Sequence, residues 1–400
     1  MILPITILLD LDDTLLDNDV NNFLPAYIQS YSNHLQPLID PEVFVRALLM
    51  GTKCMIDNQL PNQTLQEVFE SYFLPAANLD SEKFFLAAEE FYTRVFPNLE
   101  HLTKPIPAAI QFINLAIERG YRLAISTNPL FPRSAIEQRL AWAGFPISEF
   151  DFELIASIET FHFVKPNPSF FAEMLGRLGW PDGGVIVVGD DLERDILAAE
   201  QIGLKAYWIN SERNSVNKHE FTITKGSISD ILPWIDSFSA DDLCPQFDSI
   251  EASLAILRST PAVLDTIGRN APDNKWTRRA TEGSWCLTEV ICHLRDLEIE
   301  VNLTRITEIL TNENPFLIGI DTDLWANERS YIKQDGRKAL SEFTAARMEL
   351  LASLSSLLPA ELDKPAQHSI LGRTNIKELA RIIAAHDRLH IQQIYCELRL

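Results

Sequence analysis

Three short apolar runs, each ending abruptly in polar residues that can do chemistry, constrain this chain more than any other feature. Ile5–Leu9 runs into Asp10, Arg122–Ser126 into Thr127-Asn128, and Val185–Val188 into Gly189-Asp190. Near-continuous apolarity, without alternation, is what strands buried on both faces of a parallel sheet require. Helical patterns lie between and after these runs, at Ala108–Arg119, Arg133–Ala143, Pro168–Leu178 and Leu192–Ile202. Strands alternating with helices predict a doubly wound α/β parallel sheet. Such sheets bind ligands at the carboxyl ends of their strands, so the residues that end the three runs form the first candidate site.

The stretch from about Asn18 to Lys104 breaks the alternation. Asp40–Met50, Asn62–Tyr72 and Ser81–Val95 all carry helical patterns. Its place directly after the first strand predicts a helical cap over the sheet's carboxyl edge, able to exclude water from a site below. The α/β pattern fades through a weak strand at Glu220–Thr224 and a short helix at Ser227–Ile235. Residues 1–235 are therefore expected to form one domain. Residues 236–246, DSFSADDLCPQ, look like a polar linker. Helical patterns fill the remainder, at Phe247–Ile267, Ser284–Leu310, Arg337–Leu358 and Asn375–Leu398, with an aromatic and charged loop over Thr311–Gly336. Four long helices predict an all-α four-helix bundle over 247–400.

Composition narrows the partners. A chain of 400 residues exceeds one ordinary core. Its formal net charge of −22, concentrated before residue 240, lacks the basic footprint of a nucleic-acid binder and disfavours an anionic membrane surface. Cys54, Cys244, Cys286, Cys292 and Cys396 are scattered and odd in number, as in a reducing compartment. The opening MILPITILLDLDD carries no basic region and reads as a strand, not a signal peptide. No apolar run reaches the roughly 18 residues of a membrane helix. The expected location is cytoplasmic.

In Asp10-Leu11-Asp12-Asp13-Thr14, residues i and i+2 of an extended chain point the same way, so Asp10 and Asp12 can serve one site. One carboxylate can attack phosphorus. The other can protonate the leaving oxygen and then activate water. Their mutual repulsion calls for a hard divalent cation, and oxygen ligands suit Mg²⁺. Thr127 and its neighbouring backbone N–H groups can donate to a phosphoryl oxygen. Asp190, with Asp191 and Asp195 close in sequence, can complete the metal site. Lys165, in Val164-Lys165-Pro166-Asn167-Pro168, can neutralise charge on the phosphoryl group and nucleophile. A lone Asp-x-Asp after a strand is more often a turn or helix cap. Four such elements, in order and at the ends of the expected strands and helices, are a different matter.

These four elements resemble the four motifs of the haloacid-dehalogenase-like hydrolase superfamily: DLDDT the first, STN the second, VKPNP the third and VGDDLERD the fourth. The similarity covers roughly residues 1–235, and the helical insertion resembles that superfamily's first cap type. The resemblance implies that Asp10 forms an aspartyl-phosphate and Asp12 acts as general acid/base. It implies that Thr127, with Asn128 beside it, and Lys165 hold the phosphoryl group. It further implies that Asp10, the carbonyl of Asp12 and Asp190 ligate Mg²⁺, with Asp191 or Asp195 acting through water. A dehalogenase needs no acid at the position of Asp12. A phosphonate-cleaving relative would also lack it and would use a cap lysine, for which Lys53 is the one candidate near a loop. A phosphosugar mutase keeps both carboxylates and stays open. The expected activity is that of a phosphomonoesterase on a small phosphorylated metabolite. Arg46, Lys53 and Arg94 are cap cations that could meet an anionic substrate, although solvated surface charge explains each one as well.

A second constellation lies near the carboxyl end. His386 and His390 stand at i and i+4, on one helix face. His293 lies on the apolar side of another helix pattern. Three imidazoles converging in a bundle would suit Zn²⁺, Ni²⁺ or Fe²⁺ and leave a coordination position open. Asp387 or Glu289 could orient one of them. A single core histidine is more often a satisfied polar residue than a ligand, but the HxxxH pair shifts that balance. The segment also resembles the DinB-like four-helix family, which includes thiol-dependent transferases and isomerases. The resemblance rests on Gly283-Ser284-Trp285 leading into His293-Leu294-Arg295-Asp296, then Trp325-Ala326-Asn327-Glu328-Arg329, then Ala385 to Gln393. It implies His293, His386 and His390 as metal ligands. Two other readings remain open: a phospho-ligand sensor without turnover, and a thiol-dependent transferase seated in the bundle.

Overall fold

A computed structural model of the chain describes residues 4–209, 224–281, 283–322 and 324–398. It divides into two compact units. One comprises Met1–Met174 with Pro181–Gln246, the other Leu175–Trp180 with Phe247–Leu400.

In the first unit, β1 (Thr6–Leu9) is followed by a tight turn in which Asp13 takes a left-handed conformation, φ 52°. Asp is among the few non-glycine residues that tolerate this. The chain then forms β2 (Leu16–Asn18) and four helices: α1 (Val20–Leu35), α2 (Pro41–Ile56), α3 (Leu65–Ala77) and α4 (Ser81–Glu90). Each helix begins on a side chain suited to the task. Asp19, Asp40 and Asp80 accept from backbone N–H groups of their first turns, and Thr64 and Glu67 form a reciprocal capping box. A π-helical turn (Phe91–Val95) and a 3₁₀ segment (Phe96–Leu102) lead into β3 (Thr103–Pro105), which pairs antiparallel with β2. The helical insertion therefore leaves and re-enters through a two-stranded hinge. An aromatic core fills it, including Tyr31 stacked on Phe91 at 4.1 Å.

The chain continues through α5 (Pro107–Glu118), β4 (Arg122–Ile125), α6 (Arg133–Trp142), β5 (Leu154–Ile155), α7 (Pro168–Arg177) and β6 (Val185–Gly189). A π-helical turn (Leu192–Leu197) runs into α8 (Ala198–Gln201), followed by β7 (Lys205–Ile209), β8 (Lys225–Gly226) and α9 (Ile231–Asp236). The expected strand at Glu220–Thr224 lies, but for Thr224, outside the described residues. The six strands β5-β4-β1-β6-β7-β8 form one parallel sheet. The three apolar runs are three adjacent inner strands of it, β4, β1 and β6, with Leu9 level with Ile125 on one side and Val188 on the other. Residues 236–246, polar in composition, are tied to this unit: Leu243 is buried in the sheet's core, and the Gln246 N–H donates to the Gly203 carbonyl at 3.0 Å.

The second unit is built on α10 (Ile250–Asn270), α11 (Asp273–Thr277) and α12 (Leu287–Leu297). A π-helical turn (Glu298–Asn302) continues α12 into α13 (Leu303–Thr311). After β9 (Phe316–Leu317) and α14 (Trp325–Glu328) come α15 (Gly336–Ser355), α16 (Pro359–Leu362), β10 (Pro365–His368), β11 (Gly372–Asn375) and α17 (Ile376–Leu398). The four long helices fall where the 3.6-residue periodicity placed them. The small sheet β11-β10-β9 did not show in the sequence, because its strands are too short for alternation to register. Arg347, fully buried on α15, joins all four helices. It donates to Glu298 on the α12–α13 continuation, to Asp387 on α17 (2.5 Å) and to the Leu257 carbonyl on α10 (3.0 Å).

Candidate active site and metal centre

Because β1 sits between β4 and β6, their carboxyl ends lie side by side. The Asp10 N–H donates to the Val188 carbonyl (2.9 Å), and the Ser126 N–H donates to the Leu9 carbonyl (2.7 Å). This register brings Asp10, Thr127 and Asp190 to one edge. Lys165 reaches the same point from the loop before α7. Its ammonium donates to Asp10 Oδ1 at 2.7 Å and to Asp195 Oδ1 at 2.5 Å. Asp10, Asp195, Thr127 and Lys165 are all buried.

Each group is braced by its neighbours. Asn128 accepts from the Lys165 backbone N–H (3.1 Å), fixing the lysine loop to the end of β4. Glu173, fully buried on α7, accepts from the His162 and Phe163 backbone N–H groups and pairs with the His162 ring at 2.8 Å, holding the same loop from behind. Gly189 must lack a side chain, because a Cβ there would stand 2.3 Å from the Asp195 carboxyl. The Trp208 ring N–H donates to the Asp190 carbonyl (2.7 Å).

The electrostatics follow from this crowding. Burial pushes the Asp10 carboxyl well above the usual range; Lys165 opposes that, while Asp195 and Asp190 add to it. Burial works against the Lys165 ammonium, but Asp10 and Asp195 outweigh it and raise its pKa. Oxygens of Asp10, Asp190 and Asp195 lie within 4.8 Å of one another. Three converging carboxylates, one of them destabilised by burial, make an all-oxygen donor set that fits Mg²⁺. Asp191 is not among them. Its carboxylate caps the following turn, accepting from Glu193 (3.0 Å) and Arg194 (2.8 Å).

Asp12 keeps different company from Asp10. Its Oδ2 accepts from Arg139 Nη1 at 2.6 Å and its Oδ1 from Asn18 Nδ2 at 2.9 Å. Leu11, between the two aspartates, is fully buried in the core. Neither Arg139 nor Asn18 was singled out in the sequence. The signal for Arg139 was present: it stands on the stripe Ala135, Ile136, Arg139 and Leu140, which α6 buries. The cap cations Lys53 and Arg94 form exposed ion pairs with Asp57 and Glu90. Lys53 lies within α2, not on a loop. A cleft of about 630 Å³ opens beside Asp190 and Pro166. A larger groove, about 830 Å³ and touching Arg46, runs outside α1 and α2, away from these residues.

In the second unit, α12 carries His293 and α17 carries His386 and His390. The Nε2 atom of His386 lies 3.4 Å from that of His293 and 3.1 Å from that of His390. Burial, with the other two imidazoles, pushes His293 down to about 3. His386 is also lowered, first by burial. Imidazoles facing one another through ring nitrogens present, when neutral, the lone pairs that Zn²⁺, Ni²⁺ or Fe²⁺ accept. Gln393, not a carboxylate, engages the far nitrogen of His390, at 2.9 Å. The expected orienting carboxylates are committed elsewhere. Asp387, about 100° around the helix from His386, is held by Arg347, and Glu289 is held by Arg279. The Trp285 ring lies parallel to His390, 6.0 Å away, and 4.9 Å from His293.

Among known proteins, residues 6–203 match the haloacid dehalogenase-like hydrolases and residues 256–394 the DinB superfamily. A glyceraldehyde 3-phosphate phosphatase of Methanothermobacter thermautotrophicus is 30% identical over 128 residues, 31% of this chain and 54% of that protein. The chain thus spans about half the length of this curated relative. A haloacid dehalogenase-like phosphatase from Thermococcus onnurineus aligns over 57% of this chain and 97% of its own, at 20% identity and TM-score 0.39. YfiT from Bacillus subtilis, a four-helix bundle of unusual topology, aligns over 38% of this chain and 88% of its own, at 19% identity and TM-score 0.35. The family likeness of the chain is thus to the haloacid dehalogenase-like hydrolases over residues 6–203 and to the DinB superfamily over residues 256–394.

Proposed function

We propose that the first unit is a Mg²⁺-dependent phosphomonoesterase for a small phosphorylated metabolite. The observation that carries this reading is Lys165 bridging Asp10 and Asp195 where three parallel strands end. Asp10 attacks phosphorus through a carboxylate oxygen as the ester P–O bond breaks. The leaving oxygen takes its electron pair and a proton from Asp12. Asp12 then removes a proton from water as that oxygen attacks phosphorus, the bond from phosphorus to Asp10 breaks, and phosphate departs. Thr127 and Lys165 hold the phosphoryl oxygens, with Asn128 keeping Lys165 in place. Asp10, the carbonyl of Asp12 and Asp190 would hold Mg²⁺, with Asp195, converging on the same point, acting on it through water. Bound Mg²⁺ supplies positive charge to the phosphoryl oxygens.

The test is phosphate release with Mg²⁺ from a panel of phosphorylated metabolites and p-nitrophenyl phosphate, run beside Asp10→Asn. Asp10→Asn should be folded and inactive. Near-wild-type turnover by that variant would rule out covalent attack by Asp10. The relative of M. thermautotrophicus is named for glyceraldehyde 3-phosphate, which makes three-carbon phosphate esters the first compounds to try.

For the second unit, the converging Nε2 atoms support a transition-metal site on His293, His386 and His390, with one position open to a further ligand. We take the first unit, with residues 236–246 packed onto it, and residues 247–400 as two separately folding domains. The expressed segment 247–400 should therefore be helical and carry about one metal per chain, measured by elemental analysis.

A further inference from the structure

Arg139 is 2% exposed, in the middle of α6, at a position where leucine would fill the same buried stripe. Its Nη1 donates to Asp12, and its guanidinium carbon lies 4.7 Å from the centre of the Phe131 ring. Its Nε and Nη2 are buried and find no partner. Buried donors without acceptors cost stability, typically about 1–3 kcal/mol each. A buried ion pair is itself seldom better than well-packed apolar side chains. Fold stability therefore does not explain an arginine here. What it does accomplish is specific. The Asp12 side chain is partly open to solvent, yet each of its oxygens is held, one by Arg139 and the other by Asn18 of the hinge strand β2.

We propose that Arg139 is a positioning residue for Asp12, clamping that carboxyl with Asn18 in the orientation from which it exchanges protons with the leaving oxygen and with water. This rests on the phosphomonoesterase reading above. Arg139 does not touch the phosphoryl group in this scheme; it acts only through Asp12. Without it, a carboxyl with solvent on one side is free to turn away. The defect then appears where proton donation matters most. Poor leaving groups need the proton in the transition state, whereas p-nitrophenolate hardly does.

The test compares kcat/KM of wild type, Arg139→Met, Arg139→Lys and Asp12→Ala on an alkyl phosphate and on p-nitrophenyl phosphate. Arg139→Met should lose about 10²-fold on the alkyl ester and roughly tenfold less on p-nitrophenyl phosphate, the same bias as Asp12→Ala. The loss should lie in kcat, not KM. Arg139→Lys, which keeps the charge but not the guanidinium, should show a smaller bias of the same sign. The ratio between two substrates in one preparation does not depend on how much protein is folded, so poor folding cannot imitate the result. Equal losses on both esters, a change confined to KM, or no loss would overturn the inference while leaving the phosphatase reading intact. A wild-type protein that hydrolyses no ester would instead fail that reading, and the inference would fall with it.

Discussion

Lys165 places its ammonium 2.7 Å from Asp10, 155 residues earlier in the chain, and both side chains are almost completely withdrawn from solvent. A charge in this position cannot be lost quietly. Removing one partner of a buried pair leaves the other uncompensated, and Lys165 faces two carboxylates.

Lys165→Met is accordingly expected to lower Mg²⁺-dependent phosphate release by about 10²–10³-fold, the usual cost of one electrostatic stabiliser. It should also sharpen the stabilisation by Mg²⁺, since the cation then becomes the main neutralising charge. Melting curves of wild type and variant, with and without Mg²⁺, give the second readout. An unchanged Mg²⁺ response would argue against a shared site.

His386→Ala and His390→Ala should each empty the second unit of its transition metal, because two remaining imidazoles seldom hold one well. Mg²⁺-dependent phosphatase activity should persist in both, its ligands lying among Asp10, Asp12 and Asp190. Elemental analysis alongside phosphate release separates the two sites. A wild-type protein free of Zn, Ni and Fe after growth with all three would remove the histidine cluster from consideration as a metal centre.

Arg347 is the structural counterpart of Lys165 in the bundle. Arg347→Met leaves Glu298 and Asp387 buried and facing each other, and should destabilise the second unit by about 3–5 kcal/mol. Adding Glu298→Gln and Asp387→Asn to that variant should recover much of the loss. Chemical denaturation of the three proteins reads both effects. Full stability of Arg347→Met would mean the network is incidental.

His368 gives the bundle a pH dependence of predictable sign. Its Nδ1 accepts from the Ile370 and Leu371 backbone N–H groups at 3.1 and 3.2 Å, so protonation there would break both bonds. Burial, then Arg305, lowers its pKa below the ordinary value near 6.5. The unfolded chain thus takes up the proton first. The stability it contributes is complete above the unfolded pKa of about 6.5 and is lost as pH falls from there toward the folded pKa. His368→Asn should lose less stability than wild type between neutral and mildly acidic pH. Parallel curves for the two proteins would count against the assignment.

Much of this was legible in the amino-acid order. Uninterrupted apolar runs meant buried parallel strands, and local periodicity placed the longer helices, although α2 and α3 run five or six residues beyond their expected ends and α1 was not delimited. The candidate aspartates, Thr127 and Lys165 could be found because each directly follows, or closely precedes, an element with a strong local signal. His386 and His390 share a helix, so their common face is a matter of spacing alone.

What the sequence did not contain is partnership across the chain. Asp191 and Asp195 are equivalent as letters, yet the helical turn after Gly189 sends one inward to Lys165 and uses the other as its cap. Asp387 sits beside a candidate ligand but points to Arg347 instead. Arg139 and Asp12 lie 127 residues apart. Spacing rules reach only a few turns of helix or one pleat of strand, and within that range the sequence by itself determined which faces are apolar and which residues end each strand. Which charges meet was decided only when the sheet order set β1 between β4 and β6 and α6 was packed against them. Burial then makes each unpaired charge costly and each pairing specific.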